Sequence, residues 1–210
     1  MRIRNVKNKD EIMKNTKFLI IKPNEYIGKW NTLFDNNNPI YIEIGMGKGD
    51  FIIEHALKNP NINYIGIEKF DSIIVKALTK IPDDIKNLYI VRANALTINE
   101  IFENEVDLIF LNFSDPWPKF RHHFRRLTSK IFLDKYDKIF KDTKVIEMKT
   151  DNTDLFSYSV ESLSNHDYYL KEVTFDLHRT SKESIIMTEY EKKFVQEGKA
   201  IYYMKAISKK

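Results

Sequence analysis

Glu43 stands two residues ahead of Gly45-Met46-Gly47-Lys48-Gly49, a run that holds three of the six glycines in a chain of 210 residues. Glycines at that spacing permit a tight turn and let a ligand come close to the backbone. Glu68 follows 23 residues after Gly45, where a carboxylate can accept both hydroxyls of a ribose. A solvated acid at a strand end is the plainer reading of Glu68. The glycines run G-x-G-x-G, which matches neither the G-x-x-x-x-G-K-[ST] of a phosphate-binding loop nor the G-x-G-x-x-G of a dinucleotide site. A carboxylate at Glu43 would repel a pyrophosphate and suits a ligand with a cationic amino-acid end.

A second concentration of chemistry is Asn112-Phe113-Ser114-Asp115-Pro116-Trp117-Pro118-Lys119, with two of the six prolines and one of the two tryptophans. Proline after Asp115 and after Trp117 predicts an extended backbone at both and a stiff loop; a rigid turn around a packed Trp would look the same. Residues 119–130 carry five Lys/Arg and no acid, and three of the seven arginines fall within 121–126. That use of arginine fits planar, bidentate recognition of phosphate. The first 22 residues are also basic, with seven Lys/Arg against two acids, which a solvated surface would equally explain. The five histidines show no i, i+4 pair, and the chain has no cysteine, so no metal site is expected.

These residues need strands to present them. Apolar runs at 40–44, 63–67, 88–91 and 107–111 read as buried strands, with helical spacing at 51–57 and 73–78 between them. Asp50 is placed to cap the first of those helices. A long amphipathic helix is predicted over 127–140, then a strand at 144–148, a helix at 153–163, and strands at 168–177 and 200–206. The alternation implies an α/β, doubly wound, mostly parallel seven-stranded sheet with helices on both faces and an antiparallel strand at the C-terminal end. Ligands of such sheets sit beyond the carboxyl ends of the strands, where both glycine loop and Pro-Trp-Pro loop fall. Residues 1–30 are expected to form a basic arm and 31–210 the domain. With no cysteine, no N-terminal apolar stretch and a net charge of +4, the expectation is a cytoplasmic protein with no membrane segment.

Glu43-x-Gly45-x-Gly47-x-Gly49 resembles the first motif of class I S-adenosylmethionine-dependent methyltransferases, which have a Rossmann-like fold. Ser114-Asp115-Pro116-Trp117-Pro118-Lys119, with Arg121-His122 and Arg125-Arg126-Leu127, resembles the signature of the bacterial tRNA (guanine-N7)-methyltransferases. Lys149-Thr150-Asp151-Asn152 and Thr188-Glu189-Tyr190-Glu191-Lys192-Lys193-Phe194 match further segments of that family in the expected order. The resemblance implies S-adenosylmethionine as methyl donor, a variable-loop guanine of tRNA as acceptor, and a monomer or homodimer. It implies that Glu43, Gly45, Gly47, Gly49, Glu68, Asn94 and Asp115 bind the cofactor, and that Asp115 is also catalytic. Asn94 takes the place of an acid that many of those enzymes carry near the adenine. Lys119, Asp151, Thr188, Tyr190 and Glu191 would contact the substrate base, and Arg121, His122, Arg125 and Arg126 the RNA. On their own, Asp151 would read as a helix cap and Glu191 as a solvated helix charge. An amino-group methyltransferase on DNA or protein, or a non-catalytic RNA-binding module, are the competing readings; a dehydrogenase is opposed by the glycine spacing.

Overall fold

Isoleucine-rich runs, each too short for a helix, decide the sheet. In the computed structural model, which describes residues 8–180 and 185–209, the strands are β1 (Leu19–Ile20), β2 (Ile40–Ile44), β3 (Asn63–Glu68), β4 (Leu88–Arg92), β5 (Leu108–Asn112), β6 (Thr143–Thr150), β7 (Tyr169–Thr174) and β8 (Tyr202–Lys209). Their order is β1-β4-β3-β2-β5-β6-β8-β7; β8 runs antiparallel to β6 and β7, and every other pair is parallel. The chain reverses direction across the sheet between β2 and its neighbour β5, which makes their carboxyl ends the switch-point crevice.

Both faces are covered, and the period-two alternation of strand side chains sorts the core into two layers. Ile40, Ile42 and Ile44 of β2, with Ile109 and Leu111 of β5, pack against α5 (Lys130–Tyr136) and α6 (Thr153–Ser164). Leu108 and Phe110 face the other way, onto α3 (Asp50–Lys58) and α4 (Asp71–Leu78). Glu43 has Gly66 of β3 and Phe110 of β5 as its register partners, so it sits mid-sheet at the crevice end.

The structure differs from the sequence reading in several places. The sheet has eight strands: β1 pairs with β4 inside the stretch expected to be an arm, and α1 (Lys9–Asn15) precedes it. Phe18 and Leu19 are buried, and Ile12 and Met13 pack in the layer of α4. A two-residue strand shows no periodicity that sequence could reveal. Arg2, Arg4 and Lys7 lie outside the described residues. The helix predicted over 127–140 shortens to α5: Ser129, extended at the N-cap position, gives its hydroxyl to the Phe124 carbonyl, and Phe140 leaves the helix to bridge Val106. Past β7 the chain turns into α7 (Leu177–Thr180), and α8 (Glu189–Gln196) precedes β8. The remaining short helix, α2 (Asn31–Phe34), follows the buried Trp30. Among the described residues no helix is long and apolar enough to cross a membrane.

Candidate active site

The loop after β2 turns on positive φ angles at Gly45, Gly47 and Gly49 (79°, 57° and 78°). A Cβ at Gly45 or Gly47 would meet no atom within 4 Å, so these two need glycine for the left-handed turn and leave open space beside the backbone. Gly49 is also crowded: a Cβ there would come 3.0 Å from the Ala77 side chain, which lets α3 pack onto α4. Gly49, not Asp50, is the N-cap residue of α3; Asp50 is the first helical residue, and its carboxylate goes to Lys80 at 2.7 Å. The Gly45 and Met46 amides both donate to the Ile67 carbonyl, at 2.8 and 3.1 Å, pinning the loop to β3.

Glu43 is 1% exposed at the tip of β2. Its Oε1 accepts the Asn112 amide at 2.8 Å, while its buried Oε2 has no hydrogen-bond partner. Burial pushes its carboxyl up to about 8, against the lowering effects of the Asn112 amide and the Lys149 ammonium. An orphaned carboxylate oxygen next to open glycine backbone fits a cationic amino group. A cavity opens there, lined by Glu43, the loop 45–48, Asp50, Phe51, Ser72, Ile73, Lys76, Asn112 and Phe113, and closed by Thr188, Glu189 and Tyr190. Glu43, Gly45, Gly47, Thr188 and Tyr190 of the expected set therefore meet in one place.

Glu68, Asn94 and Asp115 do not line that cavity. Glu68 ends β3, where its Oε1 accepts the Lys69 and Phe70 amides. Asn94 is exposed, and its side-chain oxygen accepts the Leu96 amide as the cap of a 3₁₀ turn, Ala95–Glu100. Asp115 is exposed in the loop after β5. In that loop Phe113 and Trp117 have φ of 49° and 43°, which bulky residues rarely adopt. Trp117 is thus left-handed, contrary to the extended form its following proline predicts. Tertiary contacts hold it so: the Arg125 guanidinium lies 4.8 Å over its ring and His122 packs at its edge.

Arg126, expected with its neighbours at the RNA surface, is turned inward instead and is 2% exposed. Its Nε donates to the Pro116 carbonyl at 2.7 Å, and its guanidinium sits 4.6 Å over the Tyr158 ring. It braces the Asp115 loop from behind. Lys119, Arg121 and Arg125 are exposed along the 3₁₀ helix Phe120–Arg125 and its cap.

Glu191 is fully buried, not a solvated helix charge. Its two oxygens accept from Lys149 at 3.2 and 3.1 Å, from the Thr188 amide at 3.2 Å, and pair with His178 at 2.9 Å. Thr188 Oγ1 in turn accepts the Glu191 amide at 3.0 Å, completing a capping box on α8. Burial pushes the Lys149 ammonium below its ordinary range, against the raising effect of the Glu191 carboxylate. Lys48 of the glycine loop pairs with Glu189, so α8 is latched over the cavity from both sides. Asp151 is half-buried ahead of α6, whose cap is Asn152. Sequence reasoning missed Asn112, Gly66 (where a Cβ would strike Met46 Sδ), Ser72, Lys76 and the Lys149–Glu191–His178 network. Asn112 gave a signal as a polar residue at the end of an apolar strand, and Lys149 and Glu191 stood in the segments matched to the family, without a hint that they pair. Among the described residues no group of three or more His, Asp or Glu could hold a metal ion.

A family model described as "Putative methyltransferase" matches residues 37–204. A protein of Lachnoclostridium phytofermentans named tRNA (guanine-N(7)-)-methyltransferase is 47% identical over 213 residues, covering 100% of both chains. One of the same name from Bacillus subtilis is 48% identical over 92% of each chain. Among solved structures, an antibiotic-related methyltransferase superposes with a TM-score of 0.65 at 17% identity, over 87% of this chain and 94% of the other. The 16S rRNA methyltransferase KamB does so with 0.66 at 10% identity, with the same coverage. These two likenesses give the α/β methyltransferase fold, and the end-to-end identity to the named relatives gives the rest: the chain belongs to the tRNA (guanine-N7)-methyltransferase family.

Proposed function

We propose that the protein transfers a methyl group from S-adenosylmethionine to N7 of a variable-loop guanine in tRNA. The observation that carries this reading is the cavity joining Glu43, the glycine loop and the Thr188–Tyr190 turn, in a chain about half identical throughout to enzymes of that name. When bound, S-adenosylmethionine supplies an electrophilic methyl group on a sulfonium. Guanine N7 presents an in-plane lone pair and no proton, so the protein needs no general base. Its task is alignment, which can be worth about 7–11 kcal/mol.

The orphaned Glu43 oxygen takes the amino-acid end of the donor, and Glu68 and Asn94 its nucleoside. Asp115, carried on a loop braced by Arg126, sets a carboxylate where the imidazole ring of the base becomes positive. Lys119 and Asp151 face the base, with Asp151 accepting from its N1–H and exocyclic amine, an edge adenine lacks. Both oxygens of Glu191 are already engaged, so it acts by holding Thr188 and Tyr190 over the cavity. Arg121, His122 and Arg125 meet the tRNA backbone.

The test is methyl transfer from labelled S-adenosylmethionine to bulk tRNA, followed by borohydride and aniline scission. Label with cleavage at one variable-loop guanine is expected. Label without cleavage would refute the N7 assignment, and no label would refute the reading altogether.

A further inference from the structure

Phe120 is 87% exposed and Phe124 51% exposed, on a 3₁₀ helix whose surroundings from 119 to 130 are basic and free of acids. Methyl transfer uses neither ring. Phe120 packs edge-on to His123 with centroids 5.2 Å apart, and His123 packs edge-on to Tyr158 of α6 at 5.5 Å. This ladder leads from the arginine strip into a groove of about 720 Å³ between the 3₁₀ helix and α6. Lys130 stands on one wall, and Asp154 and Glu161 on the other.

We propose that Phe120, His123 and the groove behind them form a stacking site for an unpaired nucleobase of the bound RNA, separate from the site of the methylated guanine. The inference rests on the tRNA reading above and adds to it a second base contact. Every base offers an aromatic face, and stacking on an exposed Phe amid cations is how single-stranded RNA is held without sequence preference. The cationic strip complements the negative charge of a sugar–phosphate backbone, which would run over Arg121 and Arg125. The carboxylates of Asp154 and Glu161 can accept from the amino and imino groups at the edge of an inserted base.

The probe is a single-stranded oligoadenylate, which requires no methyl transfer. Phe120→Leu keeps an apolar side chain and removes the ring. Its affinity for the oligonucleotide should fall about tenfold with the salt slope unchanged, since every phosphate keeps its cationic partner. Emission of the Phe120→Trp variant should be quenched by the oligonucleotide beyond the change seen in the unaltered protein. Equal affinity of Phe120→Leu, a weakening that comes with a flatter salt slope, or no added quenching would each overturn the proposal. So would self-association that Phe120→Leu abolishes while RNA affinity stays the same. If Phe120→Leu loses oligonucleotide affinity but the unaltered protein methylates no tRNA, the stacking site stands and the methyl-transfer reading falls. If tRNA is methylated normally and Phe120→Leu binds normally, the stacking site falls alone.

Discussion

Glu43 is held in an environment hostile to its own charge. With its carboxyl raised to about 8, the folded chain keeps a proton there that the unfolded chain, titrating near 4.5, releases. Glu43 therefore favours folding most below about pH 4.5, and that contribution is lost as pH rises through about 8. Glu43→Gln should accordingly melt above the unaltered protein at pH 8 and close to it at pH 5. A gap of the same size at both pH values would contradict the assignment. The same variant should bind S-adenosylmethionine at least tenfold more weakly in a calorimetric titration, since the amide cannot neutralise an ammonium group. Asp115 is exposed and outside the cavity, so Asp115→Ala should leave the fold and cofactor affinity near normal while turnover falls at least a hundredfold. Single-turnover kinetics on tRNA would detect a near-normal rate, and with it the failure of the catalytic role.

Two elements shape the site, and each is held by a buried charge. The loop after β5 keeps its left-handed Trp117 because Arg126 is bonded to the Pro116 carbonyl and Arg125 covers the indole. Arg126 is thus a brace, while Arg121 and Arg125 are exposed and, on the proposed function, meet the tRNA backbone. Arg126→Ala should lower kcat and leave the salt dependence of tRNA binding intact. Arg121→Ala with Arg125→Ala should flatten that dependence, by about 1 in slope for each phosphate left without its arginine. Filter-binding titrations at several salt concentrations separate the two outcomes. For α8 the holding residue is Glu191, whose removal would leave the buried Lys149 ammonium, next to the Phe51 ring, with the Ile186 carbonyl but without its carboxylate partner. Glu191→Ala should cost about 3–5 kcal/mol in urea unfolding. A cost below about 1 kcal/mol would mean that the network adds little to the hold on α8.

Across the whole molecule, stability comes from the two layers that sandwich the sheet. Trp30 joins the N-terminal segment to one of them: it is fully buried, donates from Nε1 to the Ile101 carbonyl at 2.9 Å and stacks on Phe102. The Gly28 and Trp30 amides donate to the Glu105 carboxylate at 2.9 and 3.1 Å, securing the same segment. Trp30→Ala should cost roughly 3–5 kcal/mol and lower Tm by about 6–20 °C for a domain of this size. Thermal denaturation followed by circular dichroism measures it; an unchanged Tm would show that residues 8–30 are an appendage to the fold.

The sequence by itself determined the alternating strands and helices, the glycine turn with Glu43 before it, and the Asp-Pro-Trp-Pro loop after a later strand. Each is legible because its cause is local: period-two burial, the φ that glycine permits, the φ that proline fixes. What tertiary structure decided is where charged side chains find partners once water is removed. Arg126 and Glu191 read as surface charges in sequence, yet one braces a loop through Pro116 and Tyr158, and the other neutralises Lys149 across 42 positions of chain. The two-residue β1 and the inward turn of Arg126 were illegible for one reason. Neither follows from neighbours in sequence; both follow from an edge, a ring or a carbonyl that only the folded sheet brings within reach.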